Sequence, residues 1–113
     1  MTNEELVALI QAGGHVSENM TMLYQQNRRF IAGIALPFSN SSDLEDLMQE
    51  AYFGLERAVS KYDASLGYKF LTYAYKLVRE MNEELKKKGF LTIPGRVSRR
   101  YFEEKFYGLR DRQ

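Results

Sequence analysis

The chain has 113 residues, of which 44% are hydrophobic and 27% are charged, and this size and composition are typical of one globular domain. It contains no cysteine and a single histidine, which excludes a disulfide framework and a thiolate metal site. We expect no cofactor and, because no apolar run approaches about 20 residues, no membrane span. The amino terminus lacks the basic region of a signal peptide, so a cytoplasmic location is expected.

The two halves of the chain differ in charge. Residues 1–56 hold eight acidic and two basic residues, whereas residues 57–113 hold seven acidic and fourteen basic residues. Such an asymmetry is typical of a protein with two partners of opposite character, although solvated helices also differ in charge by chance. Both interpretations stand at this point.

The first half of the chain predicts two helices. The first covers residues 3–12, where apolar residues recur at helical spacing. The second is predicted to begin after an N-cap at Ser17 and to continue to about Leu36, before a proline. Gly33 lies within it, and a glycine in a helix predicts close packing against a neighbour.

A third helix is predicted from Ser42, which forms a capping-box pattern with Glu45. Its apolar residues share one face: they are Leu44, Leu47, Met48, Ala51, Leu55, Ala58 and Val59. The opposite side is predicted to be exposed: it carries Asp46, Gln49, Glu50, Phe53 and Arg57. A lone exposed phenylalanine is often of no consequence, but among acidic residues on a long helix Phe53 is a candidate contact.

The next helix is predicted over residues 68–88, after a turn. Its predicted core positions are Leu71, Ala74, Val78, Met81 and Leu85. Aromatic and basic residues alternate near its start: they are Tyr68, Lys69, Phe70, Thr72, Tyr73, Tyr75, Lys76 and Arg79. This mixture suits single-stranded nucleic acid, because rings stack on bases and cations contact phosphates. Phe70 also fits a core position in part, whereas Tyr73 is predicted to project outward.

After Gly89, an extended segment and a last helix from about Ser98 complete the pattern. No alternation typical of strands is present, so the predicted fold is an all-α, compact bundle of about five helices. The chain carries no catalytic motif, and we expect that it is not an enzyme. Asp46 and Glu50 share a helix face, but a solvated acidic face fits them better than a metal site.

The stretch DLMQEAYFGLERAVSKYDASLGYKFLTYA, residues 46–74, resembles region 2 of the sigma-70 family of bacterial RNA polymerase sigma factors. It aligns without a gap, and only Met48 and Ala51 depart from the family pattern. Residues 92–94, TIP, resemble the linker into region 3. The resemblance therefore implies a region 2-like domain over residues 1–94 and the start of a region 3-like helix over 95–113.

The resemblance also implies partners and site residues. Contact with the clamp helices of the polymerase β′ subunit is implied for Asp46, Gln49, Glu50, Tyr52, Phe53 and Glu56. Contact with the non-template single strand of the promoter minus-ten element is implied for Arg57, Lys61, Tyr68, Lys69, Phe70, Thr72, Tyr73, Lys76 and Arg79. Tyr73 matches the aromatic residue that supports a flipped adenine. Arg96 and Arg99 match positions that approach DNA further upstream.

The sequence departs from primary sigma factors where these carry two tryptophans that wedge the duplex open. Lys76 and Leu77 occupy those positions, and Glu80 and Glu83 follow, so melting is expected to be weaker or to need a helper. The alternative is a co-sigma or polymerase-binding regulatory module that keeps the clamp contact but does not melt DNA. An accidental likeness of a structural helical protein is a third reading.

The sequence ends before any region 4. We therefore expect either a fragment of a longer factor or a stand-alone region 2, which could work as half of a split sigma factor with another protein supplying the rest. An anti-sigma factor is a further possible partner.

Overall fold

The computed structural model describes residues 1–40 and 42–88, apart from the side chain of Lys88. These residues form helices and connecting turns without a strand, and the predicted all-α class is confirmed. The five α-helices are α1 (Asn3–Gln11), α2 (Val16–Gln26), α3 (Arg28–Ala35), α4 (Leu44–Lys61) and α5 (Phe70–Lys88). Single 3-10 turns cover Leu36–Phe38 and Ala64–Leu66.

The number of helices in the described residues agrees with the predicted number, but two of the helices differ from those that the sequence pattern predicted. The predicted second helix is divided into α2 and α3. The predicted last helix, from Ser98, lies outside the described residues, as do Arg96, Arg99 and the boundary at residue 94.

Asn27 separates α2 from α3. Its amide Nδ2 donates to the carbonyl oxygen of Leu23 at 2.8 Å and to Oδ1 of Asn3 at 2.7 Å. Asparagine side chains compete with the helical ladder for backbone groups, and here the competition is reinforced by a residue of α1. The prediction of one continuous helix was wrong because this contact joins residues 24 positions apart.

Two predicted helix starts differ by one or two residues. His15, in the left-handed region with φ 42°, precedes α2, and Ser17 lies inside the helix. Asp43 rather than Ser42 caps α4, since its Oδ1 accepts from the backbone N–H of Glu45 at 2.8 Å. The negative charge of an aspartate at the amino end of a helix also interacts favourably with the helix dipole.

The core surrounds α4, which packs against α1, α2, α3 and α5. The predicted core positions of α4 are buried, except that Leu44 is 41% exposed at the start of the helix. In α5, Ala74, Val78, Met81 and Leu85 are buried as predicted, and Leu71 is half-buried. Within the described part of the chain, no helix is long and apolar enough to cross a membrane.

The helices α4 and α5 run antiparallel, and their backbones come close together at Gly54. A Cβ atom on Gly54 would lie 2.8 Å from the Cα atom of Val78 and 3.0 Å from the carbonyl oxygen of Leu77. Only glycine permits that distance without movement of the backbone. The predicted close packing at Gly33 was wrong, because nothing lies within 4 Å of a Cβ built there.

Candidate nucleic-acid and polymerase interface

Four aromatic rings meet at the turn between α4 and α5, and we call Tyr62, Tyr68, Phe70 and Tyr73 the ring cluster. Tyr62 is its centre, with centroid distances of 5.6 Å to Tyr68, 5.4 Å to Phe70 and 6.2 Å to Tyr73. The rings of Tyr68 and Tyr73 are 5.8 Å apart. Such pairs add stabilisation beyond the burial of their area, so the cluster forms one packed unit.

The cluster has a buried layer and a surface layer. Tyr62 and Phe70 are buried, whereas Tyr68 and Tyr73 are half-buried and pack against the core. Phe70 was predicted to contact DNA, but it is completely buried and supports the outer rings instead. Tyr73 does not project freely outward as predicted, because its ring leans on Tyr62.

Tyr62 was not among the predicted site residues. Its hydroxyl donates a hydrogen bond of 2.6 Å to the carbonyl oxygen of Tyr68. Burial raises the pKa of the Tyr62 phenol above its ordinary value, and the negative charge of Glu4 raises it further. The hydroxyl therefore remains a donor at neutral pH. The sequence signals of Tyr62 were its place immediately after a long helix and its place within the stretch 46–74 that resembles the family, and neither signal indicated that its ring is central.

Exposed polar and cationic side chains lie on both helices that flank the ring cluster. Lys69 is exposed immediately before α5, and Thr72, Lys76 and Arg79 are exposed on α5. Arg57 and Lys61 are exposed on the last turns of α4. The Nε atom of Arg79 lies 3.2 Å from Oε1 of Glu83, so part of its charge is balanced. The cations predicted on these two helices are thus all exposed at the surface.

The predicted acidic face of α4 is only partly exposed. Gln49, Glu50 and Tyr52 retain at most 2% of their accessible surface. The prediction that Gln49 and Glu50 lie on the outside of the helix was wrong, and the clamp contact implied for Tyr52 falls on a buried residue. Because α4 is central, helices cover more of its circumference than the single apolar stripe suggested. The Tyr52 ring packs at right angles to Tyr24 and Phe53, with centroid distances of 5.9 and 5.4 Å.

A narrower surface of α4 remains accessible, and we call Asp46, Phe53 and Glu56 the α4 edge. Asp46 and Phe53 are half-buried, and Glu56 is exposed. Phe53 and Glu56 line a shallow groove of 430 Å³ together with Arg57, Lys61 and Met81. The α4 edge combines one aromatic side chain with two carboxylates, as predicted for the clamp contact. It contains only three of the six residues for which that contact was implied.

A second aromatic pair lies on the other side of α5. The rings of Tyr75 and Phe30 are 6.4 Å apart, and Tyr75 is 45% exposed. It joins α3 to α5 and is separate from the ring cluster. The sequence placed Tyr75 among the interleaved aromatics but gave no sign of its partner in α3.

Comparison with known proteins identifies the class. Residues 23–89 match the family Sigma-70 region 2, which covers α4, α5, the ring cluster and the α4 edge. The chain therefore belongs to the sigma-70 family, and the resemblance predicted from residues 46–74 is confirmed.

Individual relatives agree with this assignment. The chain is 42% identical over 80 residues to the RNA polymerase sigma factor SigA4 of Synechococcus elongatus, covering 70% of this chain and 25% of the relative. It is 41% identical over 81 residues to the RNA polymerase sigma-C factor of a Nostoc species, covering 71% of this chain and 19% of the relative.

A principal sigma factor, HrdD of Streptomyces viridifaciens, is 39% identical over 80 residues, covering 70% of this chain and 23% of the relative. The matches thus span about a quarter or less of these relatives. No solved structure matches the chain.

Proposed function

We propose that this chain acts in bacterial transcription initiation as a sigma factor region 2 unit that contacts unpaired promoter DNA through the ring cluster. The observation that carries the proposal is the two-layered cluster itself. Tyr68 and Tyr73 expose part of their rings to solvent, while the buried rings of Tyr62 and Phe70 form the packed layer beneath them. The rings of such a surface are ordered before DNA arrives, which lowers the entropy lost on binding.

The non-template strand of the minus-ten element is the proposed ligand. Bases stack on the accessible parts of Tyr68 and Tyr73, and each stacked base contributes about 1–3 kcal/mol. Lys69, Thr72 and Lys76 contact the phosphates next to these bases. Arg57, Lys61 and Arg79 extend the cationic surface along both helices. Removing a base from its stack costs a few kcal/mol, which several such contacts together offset.

The α4 edge is the proposed contact with the β′ clamp helices of RNA polymerase. Asp46 and Glu56 supply negative charge for a basic partner, and Phe53 supplies an aromatic anchor in the groove beside Met81. Aromatic anchors carry much of the affinity of protein interfaces, whereas charges at the rim mainly set orientation and association rate. Gln49, Glu50 and Tyr52 are too deeply buried for this role in the described conformation.

The DNA contact is tested with the variant Tyr73→Ala, alone and combined with Lys69→Ala, and with Tyr75→Ala as the matched control. Polymerase core carrying each variant is titrated with a fluorescent single-stranded DNA of mixed A and T. We expect Tyr73→Ala to weaken binding by about tenfold, the scale of one stacked base, and the double variant to weaken it further. Equal effects of Tyr73→Ala and Tyr75→Ala would contradict a special role for the ring cluster.

A second function, clamp binding without unaided melting, is favoured by the geometry of α5. Leu77 stands at one of the two tryptophan positions of primary factors, and it is half-buried against the core. Arg79, two positions further along α5, shares its charge with Glu83. A small, packed side chain does not wedge a duplex apart. We therefore expect polymerase carrying this chain to prefer a template with a pre-opened bubble over the same template fully paired; equal use of both would argue against this second function.

A further inference from the structure

Helix α1 carries two side chains that cap the facing ends of α4 and α5. The carboxylate Oε2 of Glu4 accepts a hydrogen bond of 2.8 Å from the backbone N–H of Phe70, the first residue of α5. The amide Nε2 of Gln11 donates to the carbonyl oxygens of Val59 and Tyr62, both at 2.8 Å. These bonds join residues 48 to 66 positions apart in the chain.

The spacing of the two residues explains how one short helix reaches both ends. Glu4 and Gln11 are seven positions apart, which places them on one face of α1 and separates them by about 10 Å along its axis. The adjoining face buries Leu6 and Val7 in the core, so α1 is fixed to the bundle. A capping box at Thr2 and Glu5 orders its first turn.

Both caps satisfy groups that a helix alone leaves without partners. The first N–H groups and the last carbonyl groups of a helix lack an intrahelical bond. Glu4 also places a negative charge at the amino end of α5, where the helix dipole favours it. Gln11 uses both hydrogens of its amide nitrogen for the end of α4.

The capped residues belong to the ring cluster. Gln11 bonds the carbonyl oxygen of Tyr62, and Glu4 bonds the N–H of Phe70, so the two buried rings are each fixed through their backbone. The N–H of Tyr73 donates to the carbonyl oxygen of Lys69 in the same first turn of α5. The orientation of the outer rings therefore depends on the turn that α1 holds.

We propose that Glu4 and Gln11 are positioning residues, and that α1 braces the turn between α4 and α5 in the geometry that receives unpaired bases. The inference rests on the proposed DNA contact for its functional consequence. The brace itself concerns only the facing ends of α4 and α5. Its effect on DNA binding and its effect on the order of the turn are measured separately.

The sign of the effect of Glu4→Ala separates bracing from simple electrostatics. Removing an acidic residue beside Lys69 strengthens binding of a polyanion if charge alone matters. The brace predicts the opposite: binding of fluorescent single-stranded DNA by the full chain on polymerase core falls about fivefold, the scale of losing one helix cap. Glu18→Ala, which removes an exposed acid of α2, is the matched control and is expected not to weaken binding.

Two further variants test the hydrogen bonds themselves. Glu4→Gln keeps an acceptor oxygen and is expected to retain most of the binding that Glu4→Ala loses. Gln11→Ala removes both bonds to the end of α4 and is expected to weaken binding to a similar extent. Thermal unfolding of each variant, followed by circular dichroism, identifies any that fail to fold. If Glu4→Ala is among them, Glu4→Gln carries the test: the brace predicts binding no tighter than that of the parent, whereas charge alone predicts tighter binding.

Amide hydrogen exchange measures the brace without DNA. We expect the amides of Phe70 to Tyr73 to exchange at least severalfold faster in Glu4→Ala than in the parent chain, with no change in Glu18→Ala. Unchanged exchange, or tighter DNA binding by Glu4→Ala, would overturn the proposal. If the parent chain does not bind single-stranded DNA, the proposed function fails, and the exchange result alone decides whether α1 is a brace.

Discussion

Helices α4 and α5 are consecutive and nearly equal in length, with 18 and 19 residues, but they present different amounts of surface. Ten residues of α4 are buried, including every residue from Leu47 to Tyr52. In α5 the buried positions recur at helical spacing and leave a continuous outer face with Thr72 and Lys76 near its start, and Lys69 is exposed immediately before the helix. The difference follows from position, since α4 contacts four other helices.

The contrast shows where each proposed partner has room to bind. The outer face of α5 and the ring cluster form a broad surface suited to a flexible strand. The α4 edge is a narrow strip at the side of a central helix, where a partner must rely on a few side chains. Each of the following predictions tests one part of this contrast.

The largest expected effect concerns the buried acid of α4. Glu50 has no exposed surface, so Glu50→Ala leaves a cavity inside the bundle and is expected to lower the free energy of unfolding by about 3 kcal/mol. Glu56→Ala, on the α4 edge, is expected to stay within about 0.5 kcal/mol of the parent and to weaken capture of the β′ subunit. Urea unfolding measures the free energy of unfolding of both variants, and a pull-down measures the capture of the β′ subunit by Glu56→Ala. If the free energy of unfolding of Glu50→Ala equalled that of the parent, the burial of Glu50 would be contradicted.

A smaller loss of stability is expected where the two helices touch. Gly54→Ala places a Cβ against the backbone of Val78, and overpacking of this kind costs about 2 kcal/mol. Gly33→Ala is the matched control, because its Cβ meets nothing within 4 Å and a helical alanine gains up to about 1 kcal/mol over glycine. Thermal unfolding is therefore expected to shift in opposite directions. A shared direction would mean that α4 and α5 are further apart than described.

The hydroxyl of Tyr62 is expected to contribute about 1 kcal/mol, the usual net value of one hydrogen bond. Tyr62→Phe keeps the ring and removes the donor to the carbonyl oxygen of Tyr68. The pKa of this phenol is raised in the folded chain, so its contribution is complete below the ordinary pKa of tyrosine and is lost as the pH rises through the folded value.

Unfolding measured across alkaline pH checks this prediction. We expect Tyr62→Phe to be less stable at neutral pH but to lose less stability than the parent as the solution becomes alkaline. Tyr75→Phe, with its ring half exposed, serves as the control. Parallel pH profiles for the parent chain and Tyr62→Phe would contradict the assigned role of the hydroxyl.

The smallest expected effect concerns a single cation of α5. Lys76→Ala is expected to reduce the slope of log binding constant against log salt concentration by about 0.7, as for one phosphate contact on a single strand. Glu80→Ala, an exposed neighbour on α5, is the control and leaves the slope unchanged. Titrations of single-stranded DNA at several salt concentrations measure it, and an unchanged slope for Lys76→Ala would remove this residue from the proposed phosphate contacts.

The sequence predicted the apolar stripe of α5 well, because that helix packs on the bundle with one side and its periodicity reports that side. The sequence-based prediction failed for Gln49 and Glu50, because periodicity does not report how many neighbours surround a helix. The break at Asn27 was equally hidden, since its cause is a hydrogen bond to Asn3. The aromatic residues of the site were found from their mixture with cations, but the central role of Tyr62 depends on packing across a turn.

The composition of the ring cluster gives the protein a built-in optical reporter. The chain contains eight tyrosines and no tryptophan, so its ultraviolet emission comes from phenol rings alone, and Tyr62, Tyr68 and Tyr73 lie within 6.2 Å of one another. Rings at this separation share excitation energy. A nucleobase laid against Tyr73 therefore quenches the emission of all three, and a titration of the isolated chain needs no attached dye.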